Sequence, residues 1–142
     1  MSLRPVLATT AAVALGGAAG ALLRWGLGEA APDGTGFPAT TFAINVVGCF
    51  ALALLPALGA VRTRPTLALA LGPGLLGGFT TLSAYAEQAR VLLADGRTAL
   101  AATYVVGTLG ACLLAVAVAG SWADRSTTAQ QRQDLAAEGV EE

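Results

Sequence analysis

The chain contains no histidine and no lysine; all eight of its basic residues are arginines. A Ser-His-Asp triad, a lysine Schiff base, a P-loop lysine and an imidazole metal site are therefore excluded. Only 12% of the 142 residues are charged, about half the share found in a soluble domain. With a net charge of −1 there is no basic stripe to neutralise a run of phosphates, which argues against nucleic acid as a partner. Aromatic residues number just eight, against 32 alanines and 18 glycines, so any interior packs by close approach of backbones. That is how helices associate in lipid. The two cysteines, Cys49 and Cys112, lie in apolar runs and read as small buried residues, not as a disulfide or a metal pair.

What the sequence has in abundance is long neutral stretch. Between charges run Pro5 to Leu23, Thr35 to Val61, Pro65 to Ala86 and Thr98 to Ala123. A hydrocarbon core of about 30 Å needs about 20 helical residues, so each run is long enough to cross it. The pattern predicts an all-α membrane protein with four transmembrane helices over about 5–25, 37–61, 65–87 and 98–122, forming one domain, 1–123. Connectors rich in Gly, Pro and Asp separate the runs and are short enough to make neighbours antiparallel. Arg4 and the following apolar run have the outline of a signal peptide, but its removal strands three further spans whose small-residue faces need partners. Residues 124–142 are polar and without apolar periodicity, and are expected to form a disordered tail. Arg4, Arg62, Arg64 and Arg125 fall on one side of such a bundle and Arg24, Arg90 and Arg97 on the other. This near-tie barely fixes orientation and would let the chain insert both ways, as an antiparallel dual-topology dimer requires.

Polar residues inside the runs are the candidates for chemistry. Gly72, Pro73, Gly74, Gly77 and Gly78 interrupt the third run, which predicts a helix broken at mid-membrane. Freed backbone groups at that depth are tolerated only when buried in protein or lining a polar cavity, where they can bind ions. Thr80, Thr81 and Ser83 follow directly. Asn45 sits among Ile44, Val46 and Val47 and needs a partner, either a neighbouring helix or a solute on an anion path. Thr41 and Gly48 share its helical face. Gly16 and Gly20, with Gly17 and Ala21, have the spacing that brings two helices together. Arg24, beside Trp25, is either an interfacial anchor or a donor to carbonyls at a subunit interface. Tyr104 and Thr108, four apart, can start a hydroxyl ladder. No carboxylate lies inside a span, and Glu87 reads as a solvated end residue. Proton-coupled transport normally needs such an acid, and the neutral donors Asn45, Thr81, Ser83 and Tyr104 suit a small anion.

These residues resemble the Fluc fluoride channels of bacteria. Gly16-Gly17-Ala18-Ala19-Gly20-Ala21-Leu22-Leu23-Arg24 is similar to that family's first-span GGxxGAxxR. Thr41-Phe42-Ala43-Ile44-Asn45-Val46-Val47-Gly48-Cys49-Phe50 resembles its TLxxNxxGxF, and Gly77-Gly78-Phe79-Thr80-Thr81-Leu82-Ser83-Ala84-Tyr85 its GGxTTFSTF. The match covers roughly residues 10 to 120, the fourth span in character only. The resemblance implies a multi-pass protein of the bacterial cell membrane, not an enzyme. It would be a passive channel that exports fluoride from the cytoplasm and so relieves its toxicity. It further implies an antiparallel homodimer with two pores and a central Na⁺ held by the backbone carbonyls of Gly77 and Thr80. Asn45, Thr81, Ser83 and Tyr104, with the positions of Leu82 and Tyr85, would line the fluoride pore, and Arg24 would lie near the dimer interface.

One departure stands out. The family places two phenylalanines, whose ring edges face the anion, where this chain has Leu82 and Tyr85. Leucine has no quadrupole, and Ala84 also replaces a threonine of the motif. These differences raise a second reading, a nonconducting subunit that pairs with a related chain in a heterodimer. A third reading, a small multidrug exporter of similar length and span count, calls for a membrane-embedded glutamate in the first span, which is missing.

Overall fold

In the computed structural model the described residues are 3–138, with side chains described over 6–125 and at 128. Among them there are helices and no strand. The order is α1 (Leu3–Ala30), α2 (Ala39–Leu54), α3 (Gly59–Thr63), α4 (Pro65–Leu69), α5 (Gly77–Phe79), α6 (Leu82–Ala94) and α7 (Thr98–Glu138), with a 3₁₀ turn at Leu55–Ala57 and a π-helical segment at Ala70–Leu76. Four stretches are long and apolar enough to cross a membrane: Val6–Ala30, Ala39–Ala57, Pro65–Ala94 and Thr98–Arg125.

The ends of these stretches differ from the expected ones, and the reasons are local. The first helix passes Trp25 and stops at Ala30, because the residue before Pro32 is driven out of the helical region. The second ends at Leu54, where Pro56 has no N–H to give and the chain tightens into a 3₁₀ turn; Val61 belongs to the separate α3. The third continues to Ala94 and closes in a Schellman turn, in which Arg97 N–H donates to Leu92 O and Gly96 N–H to Leu93 O. Gly96 adopts φ +73°, a conformation that favours glycine. Residues 124–138, expected to be disordered, continue α7. No Gly or Pro lies between Ser121 and Glu138, and extending a formed helix costs far less than starting one. Residues 139–142 of that expected tail lie outside the described residues.

Proline and glycine act differently at two points of the third stretch. At Pro73 the helix does not end; it widens, with Gly77 N–H reaching Gly72 O five residues back, so the missing proline donor is absorbed in a π turn. The chain leaves helical geometry later, at Thr80 (φ −75°, ψ 161°) and Thr81 (φ −149°, ψ 114°).

Packing follows the small residues. Helix α1 lies against the third stretch so closely that a Cβ added at Gly16 would strike Ala70 O, and one at Gly20 would strike Leu75 O. Helix α2 packs along α7, and α6 against α7. Tyr104, fully buried, centres a core of Ala89, Leu92 and Ala101, flanked by Phe42, Tyr85, Leu100 and Val105. Large apolar side chains such as Leu7, Leu15, Leu22, Val106 and Leu113 point outward, as a surface in lipid requires.

Candidate functional site

The site is built where the third stretch leaves the helix. Asn45, on α2 and 8% exposed, meets Thr81 with both ends of its amide: Nδ2 donates to Thr81 O at 3.1 Å, and Oδ1 accepts from Thr81 N–H at 2.8 Å. A buried donor that loses its helical partner costs about 1–3 kcal/mol, and Asn45 supplies the acceptor for Thr81 N–H, while Thr81 O, the N-cap carbonyl of α6, takes the Asn45 N–H in addition to the first bond of that helix. Asn45 retains a second Nδ2 hydrogen. Of the two roles open for Asn45, the bond to a neighbouring segment is observed, and it leaves one donor free.

Thr81 also caps α6. Its Oγ1 accepts from Ala84 N–H at 3.1 Å and lies 3.2 Å from the Ser83 hydroxyl, which is exposed. These bonds release two carbonyls. Thr81 N–H, the helical donor to Gly77 O, goes to Asn45, and Ala84 N–H, the helical donor to Thr80 O, goes to the Thr81 hydroxyl. Thr80 itself turns its hydroxyl back to Leu76 O at 3.0 Å, and its Cγ2 fills the space left open by Gly48.

Beside the break is a cavity of about 220 Å³ lined by Asn45, Cys49, Thr80, Thr81, Leu82, Tyr85, Thr108, Leu109 and Cys112. Thr108 is 4% exposed, and its hydroxyl has no hydrogen-bond partner among the described residues. Tyr85 donates its hydroxyl to Val105 O at 2.9 Å, so its ring is presented by a fixed tether. Leu82 is 78% exposed and makes one rim of the cavity.

Tyr104 is placed elsewhere. Its hydroxyl donates to Gln88 Oε1 at 2.7 Å, while its ring sits 5.2 Å from that of Tyr85 and 5.4 Å, edge-on, from that of Phe37. Through Gln88 it joins a network that the sequence did not reveal. Asp33, in the loop before α2, accepts from Thr40 N–H (2.7 Å), Thr41 N–H (3.1 Å), the Thr41 hydroxyl (2.6 Å) and Gln88 Nε2 (2.9 Å). Partial burial pushes the Asp33 carboxyl up, but those four donors outweigh it and hold the pKa below the ordinary carboxylate value. The signal available was an acidic residue shortly before a helix that opens Ala39-Thr40-Thr41 and has proline, not a capping side chain, at its N-cap.

Arg24 is half-buried, and its Nε donates to Gly78 O at 3.3 Å within the same chain. Gly78 O is another carbonyl near the break, since its helical donor would be Leu82 N–H. A second cavity, of about 380 Å³, lies between Arg24, Asp33, Thr41 and Gln88 and reaches Thr81. Glu87 is exposed and paired with Arg90 at 2.6 Å. The structure therefore gathers Asn45, Thr81, Leu82 and Tyr85 around one cavity, with Thr108 added. Ser83 stands at its edge, Tyr104 behind it, and Gly77 and Thr80 on the freed backbone.

Four membrane-length helices, with a largely apolar cavity that carries a few polar groups at an interruption in the third, define a small multi-pass membrane protein. Residues 11–121 match the family model described as CrcB-like protein, Camphor Resistance (CrcB). A Paracoccus denitrificans protein named fluoride-specific ion channel FluC is 46% identical over 105 residues, covering 73% of this chain and 85% of the relative. A Chloroflexus aurantiacus protein of the same name is 42% identical over 120 residues (78% and 94%), and a Nocardia farcinica protein named fluoride-specific ion channel FluC 2 is 42% identical over 125 residues (86% and 89%). The chain belongs to the CrcB-like family, whose relatives here carry the names of ion channels and not of enzymes.

Proposed function

We propose that this protein is a fluoride-selective passive channel that lets fluoride leave the cytoplasm. The observation that carries the reading is the Asn45–Thr81 amide pairing, which holds an interrupted helix open beside a cavity lined by neutral donors. The naming of three relatives as fluoride channels supports the choice of ion. Fluoride is small and strongly hydrated, so a path that removes its water must replace it with donors such as the second Asn45 N–H and the hydroxyls of Ser83 and Thr108. Tyr85 offers a ring edge at the same cavity. No coupling acid is required: an inside-negative potential drives an anion outward by about 2.3 kcal/mol per 100 mV.

The working unit in this reading is an antiparallel, dual-topology dimer in which the break sits near mid-membrane. Exposed Leu82 and Gly77 would then face the second copy, as would the outer side of the Arg24 segment. The carbonyls of Gly77 and Thr80, released by the bonds that Thr81 and Ala84 make elsewhere, fit a hard cation such as Na⁺. When bound, that ion would fix the two chains together at the break and offset the negative ends of the released dipoles. Reconstitution of the purified chain in liposomes, with a fluoride electrode and chloride as control, tests the function. Fluoride efflux without chloride efflux is expected; equal rates for both ions, or no efflux, refute it.

Leu82 favours a second reading, a subunit that conducts only with a related partner bearing the missing ring. Full efflux from this chain alone rejects it.

A further inference from the structure

We propose that Cys49 and Cys112 form a two-coordinate binding site for a soft divalent cation of the mercury(II) type, set into the wall of the cavity beside Asn45. Read from sequence, the two residues are simply small apolar fillers. The structure brings them to one place: Cys49 on α2 and Cys112 on α7 are both free and half-buried, and both line the cavity with Thr108. The two helices that carry them pack along one another, so the pair is held by rigid elements and not by a loop.

The donor set selects the metal. Zinc needs four ligands, and among the described residues no group of three His, Cys, Asp or Glu could supply them. A soft ion that accepts two ligands in line is satisfied by two sulfurs. Binding takes the form 2 RSH + Hg²⁺ → RS–Hg–SR + 2 H⁺: two S–H bonds break, two Hg–S bonds form, the protons leave to water and nothing is oxidised. The product is neutral, which matters in a wall otherwise made of Leu82, Leu109 and uncharged donors. Hard cations gain nothing from thiols here, and a monovalent soft ion would leave a net negative charge.

Bound metal would also occupy the space beside Asn45 and tie α2 to α7. That consequence for conduction rests on the reading of the cavity as the anion path; the site itself does not.

The test uses the full chain in detergent with mercury(II) chloride, followed by an excess of a monothiol and measurement of retained metal by mass spectrometry. Wild type is expected to retain one mercury per chain. Cys49→Ser and Cys112→Ser should each retain at least about tenfold less, because a single sulfur loses the advantage of a second ligand on the same chain. In wild type, maleimide labelling of both cysteines should be lost together after one equivalent of metal. Equal retention by wild type and single variants, or blocking of only one cysteine, overturns the site. Fluoride efflux measured in parallel separates the two ideas: chelation with loss of efflux supports both, whereas chelation with unchanged efflux leaves the metal site standing and removes this cavity from the anion path.

Discussion

Asn45→Asp is the sharpest test of the site, because it changes almost nothing in size. The oxygen that accepts from Thr81 N–H is kept, and only the nitrogen that donates to Thr81 O, with its free second hydrogen, is exchanged. An ionised carboxylate there faces an approaching anion at about 4 Å; at an effective dielectric of about 20 the repulsion is about 4 kcal/mol. At 1.4 kcal/mol per tenfold, occupancy of the path by fluoride falls about a thousandfold. The assay is fluoride efflux from proteoliposomes at neutral pH, with elution of the detergent-solubilised protein as a check that the variant is intact. Asn45→Ala supplies the contrast: without charge, it strands Thr81 N–H at about 1–3 kcal/mol, and so should lower the unfolding temperature along with the flux. An Asn45→Asp protein that elutes normally and conducts fluoride at the wild-type rate would falsify the assignment of Asn45 to the anion path.

Three further outcomes are expected. Asp33→Ala removes the acceptor that caps α2 and should cost about 1 kcal/mol at neutral pH. Because the folded pKa of Asp33 is depressed below 3.8, its contribution is present above that value and vanishes as pH falls through the lowered one, so the gap in unfolding temperature should close on acidification; a gap that persists counts against the network. Gly20→Ala drives a Cβ into the backbone at Leu75 and Phe79 and should cost about 1–3 kcal/mol or more, whereas Gly26→Ala, on the same helix with nothing within 4 Å, should stabilise by about 0.5–1 kcal/mol. Thermal unfolding of the pair in detergent decides, and equal shifts would show that α1 does not approach the third stretch as described. Leu82→Phe, at a side chain exposed within the single chain, adds a ring edge at the cavity rim and should raise fluoride efflux; unchanged efflux would mean that this rim does not touch the ion.

The number and rough placement of the membrane helices were legible because lipid imposes a simple condition, a run of about 20 residues without charge. Their ends were not, since a helix once formed does not need apolar residues to continue. Thus α1 runs on past Arg24 and α7 past Arg125, and the stops are set by Pro32, Pro56 and Gly96. Pro73 shows a different limit. Sequence marks where a helix loses a hydrogen bond, but the response, a wider turn at Ala70–Leu76 and departure from the helix only at Thr80, depends on α1 pressing against it. Asn45 and Thr81 could each be singled out alone, as polar residues in apolar surroundings. That one side chain completes the other's backbone could not, because it depends on how two helices meet. The Asp33–Thr41–Gln88–Tyr104 network stayed hidden for the same reason: its members come from a loop and three helices.

Helix α7 has 41 residues, about 60 Å at 1.5 Å each, roughly twice the thickness of the hydrocarbon layer. The helix continues for about 20 Å beyond Arg125, where its membrane-length stretch ends. In a bilayer spanned by the stretch that ends at Arg125, a fluorophore attached at the end of this helix would sit beyond the membrane-length segment, and its distance from a probe on the bilayer surface would report the tilt of the helix without disturbing the residues around the cavity.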